Sequence, residues 1–126
     1  MEDPKKLTIL VVDDDPDLRQ LLGNDFKRQG YEVLEASGGH IAFDMIKTSK
    51  IDLVLTDIMM PEGDGFELLD RIQHLCPACP PTIVLTGCSQ LSKKEMEDRG
   101  AEAVFFKPYD RKVLNSTIRQ FLKLDL

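Results

Sequence analysis

The chain has 126 residues, which suits one domain and leaves no room for a second of ordinary size. Apolar residues make up 42% and charged residues 30%, the balance of a soluble globular domain and not of a disordered segment. Acidic residues outnumber basic ones 22 to 16, a formal net charge of -6 that argues against nucleic-acid binding, since phosphate contacts need a clustered positive surface.

The opening residues, Met1 to Lys6, lack the layout of a signal peptide, so a cytoplasmic location is expected. Leu7 to Val12 is a nearly continuous apolar run rich in β-branched residues, the pattern of a strand covered on both faces. Leu18, Leu21, Leu22 and Phe26 then recur at helical spacing, and Gly30 closes the segment. Tyr31 to Glu35 alternates more and reads as a second strand near an edge. Gly38-Gly39 is a turn before a helical stripe of Ile41, Ala42, Met45 and Ile46. Asp52 to Thr56 is a third strand; a loop from Pro61 to Gly65 leads to a helix begun by Phe66, Leu69 and Ile72. After the breakers Pro77 to Pro81 comes a fourth strand, Thr82 to Leu85. The next helix, about Ser89 to Arg99, has the weakest apolar pattern. Ala103 to Phe106 is a fifth strand, and Val113, Leu114, Ile118, Phe121 and Leu122 give the last helix its apolar face. No apolar run approaches the roughly 18 residues of a membrane span.

Five strand–helix repeats predict an α/β fold, a parallel sheet with helices on both faces, whose ligands bind beyond the C-terminal strand ends. At those ends stand Asp13-Asp14-Asp15, Asp57, Thr86-Gly87 and Lys107-Pro108. Asp13, Asp14 and Asp57 would repel one another unless something positive sits among them. Hard oxygen ligands with room for water suit Mg²⁺. A carboxylate beside such a cation can act as a nucleophile toward phosphorus, a reaction that needs mainly positioning and charge neutralisation.

ILVVDDD, DLVLTDIMMPEGDGFELL, TIVLTG and FFKPYD, in this order, resemble the receiver domain of two-component response regulators over about residues 6–122. The resemblance implies a doubly wound, flavodoxin-like sheet of five parallel strands in the order 2-1-3-4-5 with five helices. It implies that Asp57 accepts a phosphoryl group from the phosphohistidine of a sensor histidine kinase or phosphotransfer protein. Asp14 would ligate Mg²⁺ directly, Asp13 would help, and the backbone carbonyl of Met59 would be a further ligand beside Asp57. Thr86 would donate to the phosphoryl oxygen, Lys107 would pair with it, and Gly87 would keep it accessible. The Lys107-Pro108 bond would be cis. Residues 89–122 would form the contact surface for a downstream protein, with no nucleic acid or membrane partner. The whole chain, 1–126, would be one receiver domain with no output domain, acting on itself and not as an enzyme on other substrates.

Two departures from the family pattern matter. The aromatic residue often found three places before the lysine is Val104 here, with Phe105 and Phe106 beside it. Met59 and Cys88 fill the variable positions associated with phosphoryl lifetime, and neither can fix an attacking water well, so a long-lived phosphorylated form is expected.

Other readings compete. Asp13 to Asp15 is a DxD after the first strand, as in aspartyl-phosphate phosphohydrolases, but Pro16-Asp17-Leu18 follows it in place of the expected turn with hydroxyl residues, and no cap domain is expected. Asp15 reads equally as a helix cap, and Asp17 as a first-turn acid favoured by the helix dipole. Cys76-Pro77-Ala78-Cys79 could be a redox pair or half a zinc site with Cys88 or His74. It follows a helix and precedes Pro80-Pro81, so two ordinary loop thiols are expected, and three cysteines fit a reducing compartment. His40 and His74 are expected at the surface.

Overall fold

The apolar runs become parallel strands because helices cover both faces of the sheet they form. The computed structural model describes residues 6–61, 64–75 and 78–122. Its elements alternate without exception: β1 (Thr8–Val12), α1 (Pro16–Arg28), β2 (Glu32–Ala36), α2 (Gly39–Thr48), β3 (Leu53–Thr56), α3 (Gly65–Gln73), β4 (Thr82–Thr86), α4 (Lys93–Asp98), β5 (Ala101–Phe106) and α5 (Arg111–Phe121). The strands run in the order β2-β1-β3-β4-β5, every neighbouring pair parallel. Val12 pairs with both Ala36 and Thr56, and Thr86 pairs with Phe106, so the strand ends that carry the polar residues lie along one edge.

Side chains alternate between two cores, as the pleat requires. Ile9, Val11, Leu53, Leu55 and Ile83 pack under Leu22 and Phe26 of α1 and Leu114 and Ile118 of α5. Leu10, Val12 and Val54 face Ala42 of α2 and Leu68 and Ile72 of α3, and Val84 and Val104 face Leu69 and Met96. Each fully buried side chain of this size contributes about 1.5–3 kcal/mol. Asp15, Asp64, Ser92 and Asp110 each accept main-chain amides at the start of a helix, worth about 1 kcal/mol apiece. Gly30, at φ +97°, lets the chain turn out of α1, a conformation that a Cβ would disfavour. On the α1–α5 face Arg111 donates to Asp25 Oδ1 at 2.8 Å, and that hydrogen bond holds the Asp25 carboxyl below the usual carboxylate range.

The structure departs from the sequence expectations in several places, and β1, β3 and β4 differ from the expected bounds by one residue each. The fourth helix is short: Ser89 to Ser92 precede it as a loop, and the Ser92 hydroxyl accepts the Glu95 amide at 3.2 Å to start it. β2 is shifted by one residue, and β5 begins at Ala101, two residues early, because these residues continue the pairing with β1 and β4. Leu21, Ile41 and Val113, counted in apolar stripes, are exposed at the margins of their helices. Cys79 is disulfide-bonded, so it is not the ordinary loop thiol expected. Cys76 lies outside the described residues, and Cys88 is a free thiol. His40 and His74 are exposed, as expected of them.

Candidate functional site

Each polar residue of the site stands at or just past the C-terminal end of a strand, so the packing of the sheet fixes where the site stands. Asp13 follows β1 and is 5% exposed; its amide donates to the Ala36 carbonyl at 3.1 Å, extending the ladder by one residue. Its Oδ1 accepts the Asp15 amide at 2.9 Å. Asp57 follows β3, tied to β1 by its amide on the Val12 carbonyl at 3.1 Å. Asp57 Oδ1 accepts the amides of Ile58 at 2.6 Å and Met59 at 3.3 Å. The buried Thr56 hydroxyl donates to the Asp57 carbonyl at 2.8 Å.

Lys107 brings the two acids together. Its Nζ lies 3.5 Å from Asp57 Oδ2 and 3.9 Å from Asp13 Oδ2, and its amide donates to the Thr86 carbonyl at 2.8 Å. The Lys107–Pro108 peptide bond is cis. The Thr86 side chain is buried, and its hydroxyl accepts the Cys88 amide at 3.2 Å. A Cβ built on Gly87 would meet nothing within 4 Å, so the packing of the chain does not itself demand glycine there. Met59 is 60% exposed, its side chain turned away from the packed interior. Asp14 is exposed and forms no close side-chain pair with Asp13 or Asp57, although its charge is felt at the Asp13 carboxyl.

Burial pushes the Asp13 carboxyl above the usual range; the Asp15 amide and Lys107 oppose the shift, while Asp57 and Asp14 add to it. One lysine does not offset three acids. Among the described residues no three His, Cys, Asp or Glu side chains form a ready-made metal cage. An open, partly hydrated site of two or three oxygens is what Mg²⁺ uses, because it keeps several of its waters. The donor set therefore fits Mg²⁺ and not zinc.

A pH dependence follows. Because the folded state raises the Asp13 pKa above 3.8, folding takes up a proton there. Stability from this group is greatest at low pH and falls as pH rises through the raised value. Asp13→Asn should therefore stabilise the metal-free protein near neutral pH. The gain should vanish below the ordinary carboxylate range. Urea unfolding at both pH values checks this; an Asp13→Asn chain less stable than wild type at neutral pH would contradict it.

Asp15 is occupied elsewhere: its Oδ1 accepts Asp17 and Leu18 amides as the cap of α1. Val104 is buried in the α3–α4 core, Phe106 packs on the same cluster, and Phe105 meets Tyr109 edge-on against the α1–α5 core. Sequence reasoning missed Arg19, whose guanidinium donates to the Asp13 carbonyl at 2.7 Å and to Glu35 at 3.1 Å. A cavity of about 440 Å³ lined by Ile46, Lys47, Lys50, Ile51 and Leu75 includes none of the acidic cluster.

Residues 9–119 match the family model of the response regulator receiver domain. The chain is 32% identical over 117 residues to sporulation initiation phosphotransferase F of Bacillus subtilis, covering 92% of this chain and 94% of that protein. It is 33% identical over 119 residues to the transcriptional regulatory protein GlrR of Escherichia coli, covering 94% of this chain but only 27% of that longer protein. The receiver domain of the Francisella response regulator 1452 superposes with a TM-score of 0.86 at 27% identity, covering 94% of this chain and 98% of that one. The response regulator TrrA of Thermotoga maritima, solved in complex with Mg(2+)-BeF, gives 0.82 at 29% identity, covering 91% of this chain and 98% of that one. With the family model spanning residues 9–119 and a relative 32% identical over nearly its whole length, the chain belongs to the response regulator receiver domain family.

Proposed function

We propose that Asp57 is the phosphoacceptor of this receiver domain and that its phosphorylation is Mg²⁺-dependent. The observation that carries this is the meeting of Asp57 and Asp13 over Lys107 at the edge where four strands end. Two main-chain amides hold Asp57 Oδ1, which leaves Oδ2, paired among the described residues only with the Lys107 ammonium, as the oxygen that attacks phosphorus. In transfer from a phosphohistidine, the new O–P bond forms as the P–N bond breaks, and the departing imidazole takes a proton from water. Mg²⁺, held by Asp13, Asp14, Asp57 and the Met59 carbonyl, would neutralise the acids and the incoming phosphoryl oxygens. Lys107, already within 3.5 Å of Asp57 Oδ2, pairs with the same oxygens. Thr86 turns its hydroxyl from the Cys88 amide toward the phosphoryl group, with Gly87 leaving the approach open.

The partners in this reading are a cytoplasmic histidine kinase or phosphotransfer protein upstream and a protein bound through residues 89–122 downstream. Phosphorylation acts there by shifting the population of two surface states. The phosphohydrolase reading is disfavoured because Asp15, its required second acid, is spent on capping α1. Among the described residues no helix is long and apolar enough to cross a membrane.

The test is the intact mass after incubation with acetyl phosphate, with Mg²⁺ and with chelator. One added phosphoryl group with Mg²⁺ and none with chelator is expected. An unmodified chain in Mg²⁺ would overturn the reading. After the phosphodonor is removed, the adduct should persist for minutes or longer, since neither Met59 nor Cys88 offers a carboxylate or amide to orient water. Loss within seconds would refute that long lifetime.

A further inference from the structure

We propose that Arg19 is a positioning residue for the acidic end of β1, clamping the peptide between Asp13 and Asp14 against β2 and so setting the affinity of these acids for Mg²⁺. The inference rests on the reading of this edge as a Mg²⁺-dependent phosphoacceptor site.

Arg19 lies in the first turns of α1, and its side chain is only 19% exposed. One terminal nitrogen donates to the Asp13 carbonyl at 2.7 Å, and Nε donates to Glu35 Oε1 on β2 at 3.1 Å. Two directions are thus fixed by one planar group, which an ammonium on a flexible stem cannot reproduce. Sequestering an ion pair costs desolvation, so such a pair is poor evidence for stability and better read as setting geometry.

What it sets is the peptide that joins the two acids. The Asp13 amide is tied to Ala36, its Oδ1 to the Asp15 amide, and its carbonyl to Arg19. Only Oδ2 is left to face Lys107 and the site. The Asp13 carbonyl belongs to the same rigid peptide plane as the Asp14 amide. Releasing it lets that plane rotate and carries the Asp14 Cα–Cβ bond with it. Asp14 is exposed, and the backbone sets the direction from which its side chain starts. Outer groups that orient metal ligands are typically worth about 10- to 100-fold in affinity.

The experiment is calorimetric titration of Mg²⁺ into the full chain, with melting curves on the same samples, for wild type, Asp14→Asn, Arg19→Met, Arg19→Lys, Glu35→Gln and Leu22→Ala. Wild type should bind and Asp14→Asn should not. Arg19→Met and Arg19→Lys should both raise the Kd about tenfold or more. Glu35→Gln should raise it less, because its amide oxygen still accepts from Nε. Leu22→Ala, a core change in the same helix, should lower the melting temperature and leave the Kd unchanged. Should Arg19→Met fail to fold, Arg19→Lys carries the test. Wild-type Kd in both Arg19 variants, or an equal Kd rise in Leu22→Ala, would overturn the proposal. A wild-type chain that binds no Mg²⁺ would instead remove the reading on which it rests.

Discussion

Asp57→Asn is expected to abolish phosphoryl uptake from acetyl phosphate while leaving the fold intact. The substitution keeps size and shape, and the new amide oxygen can still accept the Ile58 and Met59 amides that hold Oδ1. What disappears is the negative charge that makes a carboxylate oxygen a nucleophile for phosphorus. The change should not reduce stability, because it removes one of the charges that raise the pKa of buried Asp13. Loss of the attraction to Lys107 offsets part of that gain. The separation is therefore sharp: intact mass should show no phosphoryl group in Mg²⁺, and the melting temperature should equal or exceed that of wild type. An adduct forming at the wild-type rate would place the acceptor on another acid. A collapse in melting temperature would make Asp57 a structural residue.

The acids, Thr86 and Lys107 were legible in the sequence because each directly follows an apolar run, and a parallel sheet brings such positions to one edge. The strands are legible for the same reason, since burial on both faces leaves a nearly continuous run rich in β-branched residues in Leu7 to Val12 and Thr82 to Leu85. Helical periodicity was a weaker guide at the margins. It identifies an apolar face but not where that face ends, so Leu21, Ile41 and Val113 share the apolar periodicity yet stand exposed. α4 was overextended because Ser89 to Ser92 carry no strong breaker, and only the capping bond from the Glu95 amide to Ser92 marks its start. Arg19 could not have been found from its spacing. Its role depends on how the first turns of α1 cross the ends of β1 and β2, and a lone arginine on an amphipathic helix looks solvated. The spacing of Cys76 and Cys79 admits a redox pair, and the loop context points to ordinary thiols; Cys79 is nonetheless disulfide-bonded, since loop context decides redox precedent but not geometry.

Gly65→Ala is expected to slow phosphorylation about a hundredfold by moving the acceptor loop, without touching any side chain of the site. A Cβ at Gly65 would stand 2.5 Å from the Asp57 carbonyl oxygen and 2.7 Å from the Ile58 Cα, contacts that no real Cβ makes. Neither obstacle is the flexible end of a side chain, so the backbone itself must shift. The Gly65 amide also donates to the Ile58 carbonyl at 2.8 Å, which ties the start of α3 to the segment that carries Asp57. From the other side the Thr56 hydroxyl holds the Asp57 carbonyl at 2.8 Å. The acceptor peptide is thus gripped between β3 and α3, and widening the grip displaces Asp57 relative to Lys107. Overpacking of this kind costs about 1–3 kcal/mol, so stability falls as well. Gly30→Ala separates the two effects. It strains a positive-φ position in the turn after α1, where a Cβ would meet nothing within 4 Å. It should lower the melting temperature while leaving the initial rate of phosphorylation unchanged. Equal rates in Gly65→Ala and wild type would mean that the loop absorbs the methyl group without moving Asp57, and that the close approach at Gly65 serves packing alone.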